Sequence, residues 1–174
     1  GLPYGGSCLP KDLSTLLYFS QSQDIDLPVL EAISKSNNVQ IENLKTLILS
    51  NNPKAVAILG VAFKSDTDDI RNSPIITLTN LLISEDIDVK LWDENLNIES
   101  LIGSNLNVIN QSIPDLSKMI SESLKDVIKD VDVILIAHGK YIKQLESVDL
   151  NKNVTIIDGV GLPTSSIQSN GIFW

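Results

Sequence analysis

Ala55-Val-Ala-Ile-Leu-Gly-Val-Ala-Phe63 is an unbroken apolar run without a charge. Such a run suits a strand covered on both faces, since a half-exposed strand would alternate apolar with polar. Two further segments repeat the pattern, Val131-Asp-Val-Ile-Leu-Ile-Ala137 and Val154 to Asp158, and Asp88 to Asp93 adds Val-Lys-Leu-Trp. Between them lie helical patterns: Ser73-Pro74 opening a helix through Leu82, Leu116 to Lys129, and a short one over Tyr141 to Leu145. A short strand is expected near 107–109. Strands alternating with helices imply an α/β domain with a doubly wound parallel sheet and right-handed crossovers, a Rossmann-like arrangement.

Upstream of this domain the pattern is purely helical. Leu13, Leu16, Leu17 and Phe19 predict a helix over Lys11 to Ser22, with Pro10 in its first turn. Asp26 is the expected N-cap of a second helix. Its apolar positions run from Leu27 to Leu49 around a polar middle, Ser34 to Asn38, and Asn51-Asn52-Pro53 ends it. At 1.5 Å per residue this helix is about 35 Å long. The expected division is a loop and helical dimerisation arm over 1–52 and an α/β domain over 53–174. The long helix carries an apolar stripe with little in the sequence to cover it. A second copy of the chain, the chain's own α/β domain and a segment outside the chain are all open as the cover.

Composition narrows the function. Thirteen basic against 22 acidic residues give a net charge of −9, which argues against a nucleic-acid partner, whose phosphates need Lys and Arg. No apolar run approaches the roughly 20 residues of a membrane span. The chain has one cysteine and one histidine, Cys8 and His138, so neither an internal disulfide nor a Cys/His metal site is expected. These features fit a reducing, cytoplasmic compartment. The sequence starts without Met, inside a glycine-rich loop, and is expected to be part of a longer chain.

That loop, Gly5-Gly-Ser-Cys-Leu-Pro-Lys-Asp12, concentrates the chemistry. Two glycines let backbone approach a ligand closely. Cys8 just before a helix start meets the positive end of the helix dipole, and Lys11 adds charge, conditions that favour a nucleophilic thiolate. Asp12 sits four residues on, placed to orient a water or a proton. Taken alone, these residues favour Cys8 as a small buried hydrophobe over a nucleophile. His138 and Asp93, each following a strand, lie where α/β folds bind ligands.

Gly1-Leu-Pro-Tyr-Gly-Gly-Ser-Cys-Leu-Pro-Lys-Asp12 resembles the active-site loop of the UDP-glucose/GDP-mannose dehydrogenase family, G-x-x-[FY]-G-G-S-C-[LF]-x-K-D. A second block, Leu59-Gly-Val-Ala-Phe-Lys64-Ser-Asp-Thr-Asp-Asp-Ile-Arg71-Asn-Ser-Pro74, is similar to the family's G-x-[AS]-F-K-x-x-T-[DG]-D-x-R-x-S-P. The likeness runs from Gly1 to Trp174 and is nearest to the GDP-mannose branch. Leu-Pro-Lys-Asp follows Cys8, and Asn170-Gly-Ile-Phe-Trp174 resembles that branch's ending, with Phe173 in place of a Cys. The arginine that UDP-glucose enzymes often carry after the last strand's Asp-Gly is absent; Val160 and Gly161 stand there.

The resemblance implies an NAD-dependent 6-dehydrogenase that oxidises GDP-mannose to GDP-mannuronate in two hydride transfers, through a cysteine thiohemiacetal and thioester. It implies Cys8 as nucleophile and Asp12 as a positioner of water or proton. Lys11 and Arg71 are implied to face NAD, and Leu2, Gly5 and Lys64 the nucleotide-sugar; no metal is implied. Without the resemblance, Lys64 and Arg71 read as solvated loop residues beside Asp66, Asp68 and Asp69. The family's NAD-binding Gly-x-Gly-x-x-Gly is not in this sequence, so the chain alone is expected not to turn over. A UDP-glucose or UDP-N-acetyl-sugar substrate stays open, as does a non-catalytic nucleotide-binding or oligomerisation module.

Overall fold

The computed structural model describes residues 2–96, 116–161 and 168–171. Five strands, β1 (Ala55–Leu59), β2 (Asp88–Trp92), β3 (Val133–Ile136), β4 (Thr155–Asp158) and β5 (Asn170–Gly171), form one parallel sheet. Its order is β2-β1-β3-β4-β5. The chain therefore winds outward in both directions from a switch between β1 and β3. In such sheets the crevice that accepts ligands opens at the carboxyl ends of the strands flanking the switch. The expected doubly wound α/β fold is present.

The helices are α1 (Cys8–Ser22), α2 (Pro28–Leu49), α3 (Pro74–Ile83), α4 (Leu116–Met119), α5 (Leu124–Val127) and α6 (Tyr141–Glu146). Several boundaries differ from expectation. α1 starts at Cys8 rather than Lys11. Asp26 does not cap α2: Leu27 holds the cap position, and Pro28 in the first turn has no N–H to satisfy. β1 stops at Leu59, because Gly60 turns the chain at φ +104°. The single helix expected over 116–129 is two short helices. Ile120 leaves the helix to bridge Leu91 beside β2, Ser121 N–H donates to the Leu91 carbonyl at 2.8 Å, and Ser123 caps a fresh start. β5 is an unexpected edge strand pairing Asn170 with Ile157. The strand expected at 107–109 lies outside the described residues.

Alternation along the strands sends side chains to two cores. Val56 and Ile58 of β1 point to one face, with Leu135 of β3 and Leu82 of α3. Ala57 and Leu59 point to the other, with Ile134, Ile136, Val127 and Tyr141. The second half of α2 joins the first of these cores through Ile41, Leu44 and Ile48. Its first half does not, and Val29 is 75% exposed. Leu16, Tyr18 and Phe19 of α1 are exposed too. Of the covers considered for the long helix, the chain's own α/β domain takes the C-terminal half, through α3. Among the described residues no helix is long and apolar enough to cross a membrane.

Candidate active-site loop and switch-point cavity

The segment before α1 has no regular structure, so its backbone groups need partners elsewhere. Two asparagine residues supply them. Tyr4 N–H donates to Asn37 Oδ1 at 2.9 Å, and Asn37 Nδ2 donates back to the Tyr4 carbonyl at 2.9 Å. Two residues on, Gly6 N–H donates to the Asn72 carbonyl at 3.3 Å, and Asn72 Nδ2 donates to the Gly6 carbonyl at 3.2 Å. Gly5 leaves no room for a side chain: a Cβ there would lie 2.3 Å from the Asn72 carbonyl oxygen. Gly6, at φ +86°, lies against the Phe63 ring, and a Cβ would meet it at 2.7 Å. Both glycines of the loop are therefore needed for close approach, Gly6 also for its backbone angle. Neither asparagine stood out in the sequence. The available signal was Asn37 itself, a polar residue in the helical row Val29, Ile33, Asn37, Ile41.

Cys8 is a free thiol, exposed at the first residue of α1, which removes the buried-hydrophobe reading. Lys11 and Asp12 pair with each other at 3.1 Å, both about two-thirds exposed at 69% and 63%. The hydrogen bond to Asp12 raises the Lys11 pKa above its ordinary value, and the negative charge of a Cys8 thiolate adds to the rise. Arg71 is gripped by Asp69 through two bonds, Nε to Oδ1 at 2.9 Å and Nη2 to Oδ2 at 2.7 Å. This pairing raises the Arg71 pKa, lowers that of Asp69, and leaves the arginine 43% exposed. A Cys8 thiolate contributes to the Arg71 shift as well. Two cations thus lie within electrostatic reach of the sulfur.

A cavity of about 260 Å³ opens at the carboxyl ends of β1, β3 and β4. Leu2, Pro3, Phe63, Lys64, His138 and Val160 help to line it. Leu2 and Lys64 therefore meet at the switch point, whereas Cys8, Lys11, Asp12 and Arg71 form a second group at the start of α1. The tie between the groups is Gly6 on the Phe63 ring. Val160 is held in place as Asp158 Oδ1 accepts from the Val160 and Gly161 N–H groups at 2.8 and 3.0 Å.

The floor of the cavity is a buried polar network. Asp93 Oδ2 accepts from Val61 N–H at 2.9 Å and Ala62 N–H at 3.4 Å. Its Oδ1 accepts from Tyr141 Oη at 2.6 Å and Asn95 N–H at 3.2 Å. These bonds fix the turn that leaves β1 for Phe63 and Lys64. His138, 6% exposed, occupies the space a Gly60 side chain would need, 2.6 Å from the would-be Cβ. Its Nε2 faces the Ala62 carbonyl at 3.1 Å and so carries the proton. Its Nδ1 stands 3.5 Å from Asp93 Oδ2 without a hydrogen-bond partner among the described residues. Burial lowers the His138 pKa, and Asp93 and the Ala62 carbonyl only partly offset it. Burial, reinforced by the bond to Asp93, raises that of Tyr141. Asp93 is thus engaged by three backbone N–H groups and the Tyr141 hydroxyl, and His138 is half wall and half brace.

A doubly wound parallel sheet with a switch-point cavity, and a cysteine-bearing glycine loop beside it, defines a Rossmann-like α/β domain. The model of the UDP-glucose/GDP-mannose dehydrogenase family's UDP binding domain matches residues 57–162, and that of its central domain matches residues 1–39. The chain belongs to this family. It is similar to the GDP-mannose 6-dehydrogenase of Pseudomonas savastanoi pv. phaseolicola, 33% identical over 98% of this chain and 39% of that protein. It is also similar to the UDP-glucose 6-dehydrogenase of Rickettsia conorii, 33% identical over 91% of this chain and 37% of that protein. Among solved structures, a ternary complex of GDP-mannose dehydrogenase from Pseudomonas aeruginosa superposes with a TM-score of 0.86 at 30% identity, over 100% of this chain and 40% of that one. The chain spans about two fifths of the length of these relatives.

Proposed function

We propose that this chain is the nucleophile loop, helical arm (1–52) and nucleotide-sugar domain (53–174) of an NAD-dependent 6-dehydrogenase converting GDP-mannose to GDP-mannuronate. The observation that carries the reading is the loop of Cys8, pinned by its glycines beside the switch-point cavity. The cavity takes the nucleotide-sugar, with Leu2 and Lys64 on its wall and Gly5 packed against Pro74, which also lines it. Lys64 supplies positive charge for the diphosphate. Two relatives named for GDP-mannose and the Val160-Gly161 pair support the guanine nucleotide. The UDP-glucose relative keeps a UDP-sugar as the second reading.

In this reading the sugar's C6 alcohol is first oxidised to an aldehyde. The Cys8 thiolate adds to the aldehyde carbon, forming a C–S bond and a thiohemiacetal that keeps the aldehyde from leaving. Loss of a hydride from that carbon, with the hydroxyl proton released to water, leaves a thioester. Water, steered by Asp12, attacks it; the C–S bond breaks, the carboxylate departs and the thiolate returns. NAD, when bound, supplies the chemistry of accepting a hydride at each oxidation. The sheet described here does not fit a dinucleotide: its first βα turn has no Gly-x-Gly-x-x-Gly, and the His138 ring fills the space over Gly60. What fits is the charge of Lys11 and the half-exposed Arg71, set to meet an anionic cofactor held by a segment outside these residues. We place a homodimer contact on the exposed apolar turns of α2 and the working site in a reducing compartment, where Cys8 stays a thiol.

The test is NADH formation by the polypeptide that joins this chain to its NAD-binding segment. GDP-mannose is expected to yield two NADH per sugar, and Cys8→Ser to abolish it. Turnover on UDP-glucose alone overturns the substrate; turnover that survives Cys8→Ser overturns the nucleophile.

A further inference from the structure

We propose that Asn37 of the long helix is a positioning residue for Cys8, holding the nucleophile loop in register by a two-way amide clamp. This rests on reading Cys8 as the nucleophile. Asn37 is the one polar member of the row Val29, Ile33, Asn37, Ile41, which steps along α2 from exposed to buried. An asparagine in a helix interior forgoes helix propensity and apolar burial. Here it gains two bonds of 2.9 Å, one as acceptor and one as donor, to the N–H and carbonyl of one residue, Tyr4, 33 positions away. An amide side chain offers both an acceptor and a donor side by side on one planar group. Clamping both groups of a single residue fixes its translation and its rotation, as a strand neighbour would. Asn72 holds Gly6 from both sides too, with its main-chain carbonyl as acceptor and its Nδ2 as donor. Cys8 follows two residues later and opens α1. With the loop held at Tyr4 and Gly6, the sulfur has a fixed place relative to Arg71, which lies next to Asn72. Asn38, one position on from Asn37, is exposed and makes no hydrogen bond to the loop among the described residues.

The test uses this chain with Asn37→Leu, Asn37→Asp and, as control, Asn38→Leu. Two readouts follow the loop itself: amide hydrogen exchange at Tyr4 and Gly6, and the rate of Cys8 alkylation by iodoacetamide. Exchange at Ile41 to Ile48 follows the helix. Asn37→Leu is expected to speed Tyr4 exchange at least about tenfold and to change Cys8 alkylation at least about threefold, with Ile41 to Ile48 still protected. Asn37→Asp keeps an acceptor for Tyr4 N–H and loses the donor. It is expected to retain most Tyr4 protection while still altering alkylation, and it carries the test should Asn37→Leu fail to fold. Asn38→Leu is expected to match the parent in all readouts. Unchanged Tyr4 exchange and alkylation in a folded Asn37 variant overturns the proposal. So does loss of Ile41 to Ile48 protection in step with Tyr4, which makes Asn37 a general helix contact. Both readouts report the loop whether or not Cys8 acts in turnover, so a failed clamp is distinguishable from a failed nucleophile.

Discussion

Removing the Tyr141 hydroxyl tests whether the buried network beneath the cavity acts as a unit. The phenol donates to Asp93 Oδ1 at 2.6 Å and accepts from Glu94 N–H at 3.1 Å. The first bond ends on a carboxylate with no exposed side-chain surface. A hydrogen bond to a charged group contributes about 1.5–3 kcal/mol, and a neutral one about 0.5–1.5. Tyr141→Phe keeps the ring's contact with Trp92, 4.8 Å between centroids, and is expected to cost about 2–4 kcal/mol. A cost of about 2 kcal/mol lowers the melting temperature by about 4–8 °C in a chain of this size. Asp93→Asn keeps one oxygen for Val61 and Ala62 but turns an NH₂ toward the Tyr141 hydroxyl and Asn95 N–H, again at about 2–4 kcal/mol. Because both changes delete the same bond, the double variant is expected to be about 1.5–3 kcal/mol more stable than the sum of the single losses. Urea midpoints of the four proteins, compared at equal slope, give the cycle. Additivity within about 0.5 kcal/mol refutes the network and leaves Asp93 and Tyr141 as independent contacts.

Two further outcomes follow from the same floor. Because the folded-state pKa of His138 lies below its ordinary 6.5, the unfolded chain binds the proton first, so the stability it contributes is complete above about pH 6.5 and lost as pH falls below it. Urea titrations at pH 7 and 5.5 are expected to show a drop of at most about 1.4 kcal/mol per pH unit that His138→Gln removes; equal pH slopes in the two proteins defeat the assignment. Gly60→Ala is expected to cost about 3 kcal/mol or more, since it combines φ +104° with a Cβ 2.6 Å from the His138 ring. Pairing it with His138→Ala relieves the clash but not the strain, so partial recovery in thermal melts is the expected result and none at all tells against the contact.

The central strands were legible because burial on both faces leaves a continuous apolar run that nothing else in the chain imitates. β5 was not, since Asn170-Gly171 has no strand propensity and borrows its pairing from β4. The misread helix over 116–129 has a helical spacing of apolar residues, and only the tertiary pairing of Ile120 with Leu91 interrupts it. At the candidate site, the spacing around Cys8 pointed to the loop and to the start of a helix. It did not show that Arg71 is already paired with Asp69, or that the loop hangs from Asn37 and Asn72. The two asparagine contacts join residues 33 and 66 positions apart, which no local pattern encodes, and the Arg71–Asp69 pair, two positions apart, depends on the turn that brings the side chains together.

α2 is one uninterrupted helix of 22 residues, about 33 Å long. Ile41, Leu44 and Ile48 bolt its last turns into the same core as the central strands, while Val29 and Ile33 project from its first turns. There is no hinge along its length. Mechanically it is a lever braced against α3 and the core beneath it. Between its exposed first turns and that core lies the residue from which the cysteine loop is hung.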